Sequence, residues 1–345
     1  MKGRRIVLDH LGDREAAALL VDGQLDDLLI EEGDAPRPGA IYRAICDRPL
    51  KGQGGMMVRL PEGLTGFLRQ GKGLRPGQAL LVQVTGIAED GKAVPLTDRV
   101  LFKSRYAIVT PGAPGLNISR AITEEEERAR LRILAEEGME GASEDLGLIL
   151  RSACAGAPED DIVDDIAAMR DLSIAVTADA AGDQPEALTE GDGPHLLAWR
   201  DWSAADVVTE PGGFEREGVL DQIEALKQPR VATGEGTIYV EPTRALVAVD
   251  VNTGGDTSPA AALKTNLAAA RALPRALRLR GLGGQIVVDF APMSKAHRKQ
   301  LEQSLRASFR NDPVETSLVG WSPMGLFELQ RKRERPSLVR LLGRL

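Results

Sequence analysis

The sequence predicts an α/β protein of several modules in series (α+β in overall organisation), and three observations carry that prediction. Over the last third of the 345 residues, apolar strands alternate with helices, the pattern of an α/β sandwich. Between Ile41 and Phe102, five short β-like runs separated by glycine turns have the spacing of a small barrel of the OB type. A hydrophobic content of 43% supports real cores, and a chain of this length holds about two to four modules.

The first 32 residues read as short strands with a turn at Asp22-Gly23, followed by a proline-rich joint, DAPRPGA (34–40). The barrel runs are IYRAIC, GMMVRL, LTGFL, ALLVQVTGIA and KAVPLTDRV, with KGQGG and QGKGLRPGQ among the turns. After TPGAPGLNISRAI (110–122), Thr123 and EEEE predict an N-cap with acid in the first helical turn. A strand in DLGLILRSACAGA (145–157) and a helix in PEDDIVDDIAAMRDL complete a small α/β unit. The Ala/Gly/Asp-rich stretch from 173 reads as a linker, and FEREGVLDQIEALKQ (214–228) as one helix. TIYVEP and RALVAVDVN form a hairpin. Ser258 and Pro259 then start a long helix that stops at Gly281, with Pro274 predicting a kink or break. GQIVVDFAPM is a strand, 294–312 a helix, ETSLVGWSP a strand, and MGLFELQRKR (324–333) is predicted as a final basic helix.

Composition narrows the function. Cys46 and Cys154 form no CxxC pair, so no zinc site or disulfide framework is built from them, and a reducing cytoplasm is the expected setting. No apolar run approaches the ~20 residues of a membrane helix, and the N-terminus does not read as a signal peptide. Aromatic content of 3% leaves few rings for base stacking. The net charge of −8 is unevenly placed: residues 271–345 hold 15 Lys/Arg against 6 Asp/Glu. A basic third beside an acidic middle suits local phosphate binding.

Two apolar strands, ALVAVD and GQIVVD, each end on an aspartate, Asp250 and Asp289. One helix crosses between them, so the strands can be neighbours with both acids at the C-terminal sheet edge, where α/β sheets bind ligands. Two carboxylates at one edge repel unless a cation neutralises them, and Mg²⁺ takes one or two carboxylates plus phosphate oxygens and water. Asn252, on the same strand face as Asp250, is placed to orient a ligand or a water.

ALVAVDVNTG, LKTNL (263–267), RLRGLGGQIVVDFAPM and MGLFELQRKRERPSL together resemble the catalytic region of the ribonuclease E/G family. DLGLILRSACAGA is similar to that family's 5′-phosphate pocket segment, and the barrel falls where the family carries its OB-fold RNA-binding domain. The resemblance implies a reduced RNase H-like scaffold (1–36 with about 190–232), the OB-fold barrel (37–102) and a 5′-phosphate sensor (103–172). A linker (173–189) and a DNase I-like catalytic domain (233–345) complete it. It implies an endoribonuclease acting on single-stranded RNA, stimulated by a 5′-monophosphate. Asp250 and Asp289 would hold Mg²⁺, or Mn²⁺ in its place, with Asn252 assisting. Arg151 and Ser152 would contact the 5′-phosphate, with Gly115 adding a backbone N–H. Phe67, Lys92, Arg278, Arg280, Arg331 and Arg333 are the candidate RNA contacts.

Three departures from the family pattern stand out. The zinc-link motif has no counterpart up to Leu345, so no zinc is expected and a homodimer is left open. The loop between Asn252 and Lys264 is only TGGDTSPAAAL, and Met57 and Leu60 stand where rings are usual. These departures favour the alternative of a weak or inactive RNA-binding paralogue, and the retained Asp250, Asn252 and Asp289 favour catalysis. A nucleotide-dependent enzyme with a Walker-B-like strand is disfavoured, because no GxxxxGK[ST] occurs.

Overall fold

Asp22 and Gly23 both adopt positive φ, 51° and 81°, as a two-residue type I′ turn requires. This turn joins strands β2 (Arg14–Val21) and β3 (Gln24–Ile30), and β1 (Arg4–Leu11) pairs with the other side of β2. The computed structural model describes residues 3–33, 35–50, 52, 54–88, 91–204 and 206–343. Asp34 of the expected joint and Lys51 and Gln53 of the KGQGG turn lie outside them. The chain forms two units: one runs to Gly33 and resumes at Trp202, and the other ends at Asp201.

The second unit begins with the barrel. β4 (Ile41–Leu50), β5 (Gly55–Arg59), β6 (Thr65–Leu68), β7 (Ala79–Val84) and β8 (Val94–Thr97) run in the order β4-β5-β6-β8-β7, and pairing of β4 with β7 closes the ring. Alternation drives the closure: Ala44, Cys46, Met56, Val58, Leu68, Val82 and Leu96 fill the interior. Next come β9 (Phe102–Lys103), β10 (Ala107–Pro111), β11 (Gly115–Ile118), α1 (Glu125–Gly138), β12 (Leu146–Leu150) and α2 (Glu159–Ala178). The sheet β11-β12-β10-β9 shares one core with the two helices. Helix α1 starts after Glu124 rather than Thr123, without a side-chain cap.

The expected linker at 173–189 is structured. Helix α2 continues through buried Ser173 and Val176, and β13 (Glu186–Thr189) pairs with β4. An Ala/Gly/Asp-rich composition hides this order because part of the segment is held through its backbone. Arg43 donates to the carbonyls of Asp179 (2.9 Å) and Gln184 (3.0 Å). α3 (Pro194–Asp201) also belongs to this unit, although the sequence reading places 190–232 in the scaffold.

In the first unit β14 (Asp206–Val208) adds in parallel to β1. The expected helix at 214–228 is two, α4 (Gly213–Arg216) and α5 (Val219–Leu226), split at Gly218 with φ 69°. The remainder is β15 (Arg230–Ala232), β16 (Thr237–Pro242), β17 (Val247–Asn252), α6 (Pro259–Leu279), β18 (Gly284–Asp289), α7 (Lys295–Arg310), β19 (Thr316–Trp321), β20 (Phe327–Arg331) and α8 (Leu338–Leu342). The sheet order is β15-β16-β17-β18-β20-β19, with only β17 and β18 parallel. Ser258 caps α6 by accepting from the Ala261 N–H. Pro274 does not break that helix, because it is buried on the packed face and forfeits a single backbone bond.

The predicted basic helix at 324–333 is instead β20. Phe327, Leu329 and Arg331 are buried while Glu328 and Gln330 are not, a period of two in which an arginine holds an inward position. Arg331 is tolerated there because Asp312, whose side chain is fully buried, accepts from it at 2.9 Å and from Arg278 as well. Arg278 also reaches Asp26 (3.2 Å) and Asp27 (3.6 Å), and Arg335 pairs with Asp27. The network ties β3, α6, β20 and the segment after it. Removing one partner of a buried ion group typically costs about 3–5 kcal/mol. The Asp312→Ala variant should lose stability of that order in urea unfolding, and an unchanged midpoint would refute the network's role.

Candidate active site

Val247, Val249 and Val251 of β17 point into the core shared with α6 and α7, and so do Ile286 and Val288 of β18. With a side-chain period of two, Asp250, Asn252 and Asp289 fall on the opposite, exposed face. The two strands are parallel and in register, so Asp250 stands directly beside Asp289. Adjacent strands lie about 4.8 Å apart. The acids occupy the C-terminal ends of both strands, but on an uncovered sheet face rather than in a crevice. Both side chains are exposed to water, so two like-charged carboxylates stand side by side without a burial cost.

Neither acid forms an ion pair among the described residues. Nor does any cluster of three or more His, Cys, Asp or Glu side chains able to hold a metal occur among those residues. Two water-exposed carboxylates are a donor set that fits Mg²⁺, which keeps several waters and takes one or two carboxylates. The carboxamide oxygen of Asn252 accepts the Gly254 N–H at 2.8 Å, fixing the turn that leaves β17.

The exit from Asp289 is held from behind. Asn266 on α6 is fully buried; its amide donates to the Ala291 carbonyl at 2.8 Å and its oxygen accepts the Ala291 N–H at 3.0 Å. Phe290 packs against Trp321 and Phe327, with centroids at 6.1 and 6.4 Å. The GLGG motif before β18 is a close-approach surface. A Cβ at Gly281 would lie 2.0 Å from the Pro336 carbonyl oxygen, and one at Gly283 2.4 Å from that of Lys332. The motif therefore seats the RKRERP segment.

In the second unit Arg151 leaves the end of β12 and enters a 3-10 turn, Ser152–Cys154. Its guanidinium donates to Asp201 at 2.6 Å and to the carbonyls of Ser104 and Arg200. Partial burial pushes the Asp201 carboxyl up, but hydrogen bonds from Arg200 and Arg151 outweigh it and hold the group below its ordinary range. Burial pushes the Cys154 thiol up to about 11, which makes it a packing residue rather than a nucleophile. Gly115 is not at this end: β11 runs parallel to β12 with Gly115 opposite Gly147, four residues before Arg151. At about 3.3 Å per residue that is about 13 Å away. Ser119 is the neighbour instead, its N–H bonded to the Leu150 carbonyl at 2.9 Å.

The Ribonuclease E/G family model matches residues 102–209 and 203–334, which cover both the Arg151 turn and the acid pair. The chain belongs to the ribonuclease E/G family. It is 30% identical over 393 residues to ribonuclease E of Synechocystis sp. (strain ATCC 27184 / PCC 6803 / Kazusa), covering 95% of this chain and 57% of that protein. It is 30% identical over 316 residues to ribonuclease G of Salmonella typhimurium (strain SL1344), covering 78% and 62% respectively. The chain thus spans little more than half the length of these relatives. No helix among the described residues is long and apolar enough to cross a membrane.

The family's basic C-terminal motifs serve the interior in this member. Arg278, Arg280 and Arg331 are 8%, 6% and 1% exposed, which corrects the expectation that they contact RNA. Arg280 donates to the carbonyls of Ala276 (3.2 Å) and Gln228 (2.9 Å). Arg333 is exposed, with its guanidinium against Gly284. In the barrel Phe67 faces outward opposite Met57, Lys92 is exposed, and Leu60 is buried in the core rather than offered as a platform. Asn266 had no separate signal in the sequence beyond its place in LKTNL. Its role predicts that Asn266→Ala, which strands a buried N–H and C=O at Ala291, loses about 1–3 kcal/mol in chemical unfolding.

Proposed function

We propose that this chain is a Mg²⁺-dependent endoribonuclease that cleaves single-stranded RNA. Water attacks the phosphorus and the P–O3′ bond breaks, leaving a 5′-phosphate and a 3′-hydroxyl. The observation that carries the reading is the side-by-side placement of Asp250 and Asp289 on an open sheet face. These two carboxylates would hold the ion, which supplies charge neutralisation at the phosphoryl oxygens and a more acidic water. Asn266 and the Phe290–Trp321–Phe327 cluster keep Asp289 in place. Asn252, its oxygen already bonded to Gly254, has its amide nitrogen as the group to offer a phosphate oxygen. Phe67, Lys92 and Arg333 are exposed or outward-facing groups that would add RNA contacts.

Purified chain with a 5′-monophosphorylated, AU-rich single-stranded oligonucleotide should yield cleavage that requires Mg²⁺. Asp250→Asn and Asp289→Asn should each reduce the rate at least about 100-fold, the scale on which loss of a transition-state charge stabiliser acts. Cleavage that is independent of metal, or equal in both variants, would end this reading.

Stimulation by a 5′-monophosphate is assigned to Arg151 and Ser152. A guanidinium fork and a hydroxyl suit a phosphate dianion, which would take the place of the Asp201 carboxylate on the same N–H. Arg151→Ala should abolish the preference for 5′-monophosphate over 5′-hydroxyl RNA while cleavage of the 5′-hydroxyl substrate continues. An unchanged preference would remove the assignment.

A further inference from the structure

The ladder registers of the catalytic sheet put a guanidinium, a phenol ring and two carboxylates in one line. Arg230 is opposite Tyr239, Tyr239 opposite Asp250, and Asp250 opposite Asp289. All four lie on the uncovered face, since their chain neighbours Val231, Ile238, Val240, Val249, Val251 and Val288 belong to or pack on the core beneath. With strands about 4.8 Å apart the row is about 14 Å long from Arg230 to Asp289 at the backbone.

Two features of this row are unexplained by the fold. Tyr239 is half-buried, and its hydroxyl takes part in no hydrogen bond among the described residues. Arg230 is exposed, forms no ion pair among those residues, and makes one long hydrogen bond, 3.4 Å, to the Thr237 hydroxyl. A ring and an unpaired guanidinium beside two acids give a sequence of sites for a chain of alternating bases and phosphates. In a protein with three tyrosines and an aromatic content of 3%, few other rings could serve it.

We infer that Arg230 and Tyr239 form a nucleotide subsite next to the acid pair, in which Tyr239 stacks on an unpaired base and Arg230 binds the adjoining phosphate. The inference rests on the proposed site of cleavage for its orientation. The single strand crosses the sheet perpendicular to the β-strands, with the scissile phosphate at Asp250 and Asp289 and a flanking nucleotide over β16 and β15. The face beside the row carries Glu241 and Glu328, whose charge disfavours a polyanion there and leaves Arg230 as the cation that draws it to the row. Because the ring is fixed in a sheet, stacking on it needs little ordering and tolerates any base.

Fluorescence anisotropy of a labelled ten-nucleotide RNA, in EDTA so that no cleavage occurs, tests the subsite. Tyr239→Ala and Tyr239→Leu should weaken binding about 5- to 10-fold, whereas Tyr239→Phe stays within about 2-fold of the parent, because the ring and not the hydroxyl is used. Arg230→Ala should weaken it similarly and flatten the logarithmic salt dependence by about 0.7, the value for one phosphate contact on a single strand. An abasic position in the RNA should lower the affinity of the parent and cost Tyr239→Ala nothing more. Mn²⁺ binding, followed by electron paramagnetic resonance, should be unchanged in all four variants, which separates the subsite from a folding defect. Parent-like affinity in Tyr239→Leu, or no measurable binding by the parent, overturns the inference. If the variants bind normally while Mg²⁺-dependent cleavage persists, the subsite falls and the nuclease reading stands. If cleavage is absent but the ring and charge effects appear, the nuclease reading falls and the RNA subsite stands.

Discussion

A single constraint organises the region that holds the acid pair: its six-stranded sheet packs one face against α6 and α7, and the acids lie on the other. Its central strands then alternate, with Val249, Val251, Ile286 and Val288 inward and Asp250, Asn252 and Asp289 outward. The parallel β17–β18 pair converts that alternation into chemistry, because an in-register parallel ladder makes equivalent positions neighbours. A slip of one residue would move either acid to the core face, where an unpaired carboxylate is prohibitively costly. The hydrophobic pattern that folds the sheet therefore also fixes the distance between the two acids.

Holding that register falls to groups behind the sheet. Asn266 pins the chain just past Asp289 with two hydrogen bonds, and the aromatic cluster fills the space under Phe290. The GLGG turn, too tight for any side chain at Gly281 or Gly283, fits the start of β18 against the segment after β20. Two of the motifs that mark the family are thus halves of one packing surface.

The arginines of those motifs show how charge can mislead when read along a chain. Fifteen basic residues over 271–345 suggest a nucleic-acid face. Arg278, Arg280 and Arg331 are nevertheless interior, their guanidiniums bonded to Asp312, to Asp26 and Asp27, and to backbone carbonyls. Arginine suits this role because its planar fork makes several directed bonds and its charge is not lost on burial. The Arg151 turn repeats the lesson, since the Arg151 guanidinium is bonded to Asp201 and to two carbonyls.

What the sequence determined by itself was whatever depends on short-range pattern. The barrel strands, the Asp22-Gly23 turn, the Ser258 cap and the pairing of Asp250 with Asp289 all follow from alternation, turn chemistry and one crossover helix. Strand β20 was misread because a buried arginine breaks the apolar pattern, and its partner Asp312 is 19 residues away. Much of the order in 173–189 was invisible because it rests on β4, far earlier in the chain, which pairs with β13 and carries Arg43, bonded to the Asp179 and Gln184 carbonyls. The resemblance implies Gly115 beside Arg151, and the parallel register sets it at the other end of the strand. The Arg230–Tyr239–Asp250–Asp289 row exists only where three ladders meet. Tertiary structure decided these points for one reason: each turns on a long-range hydrogen bond or ion pair, and such partners leave no periodic trace in the sequence.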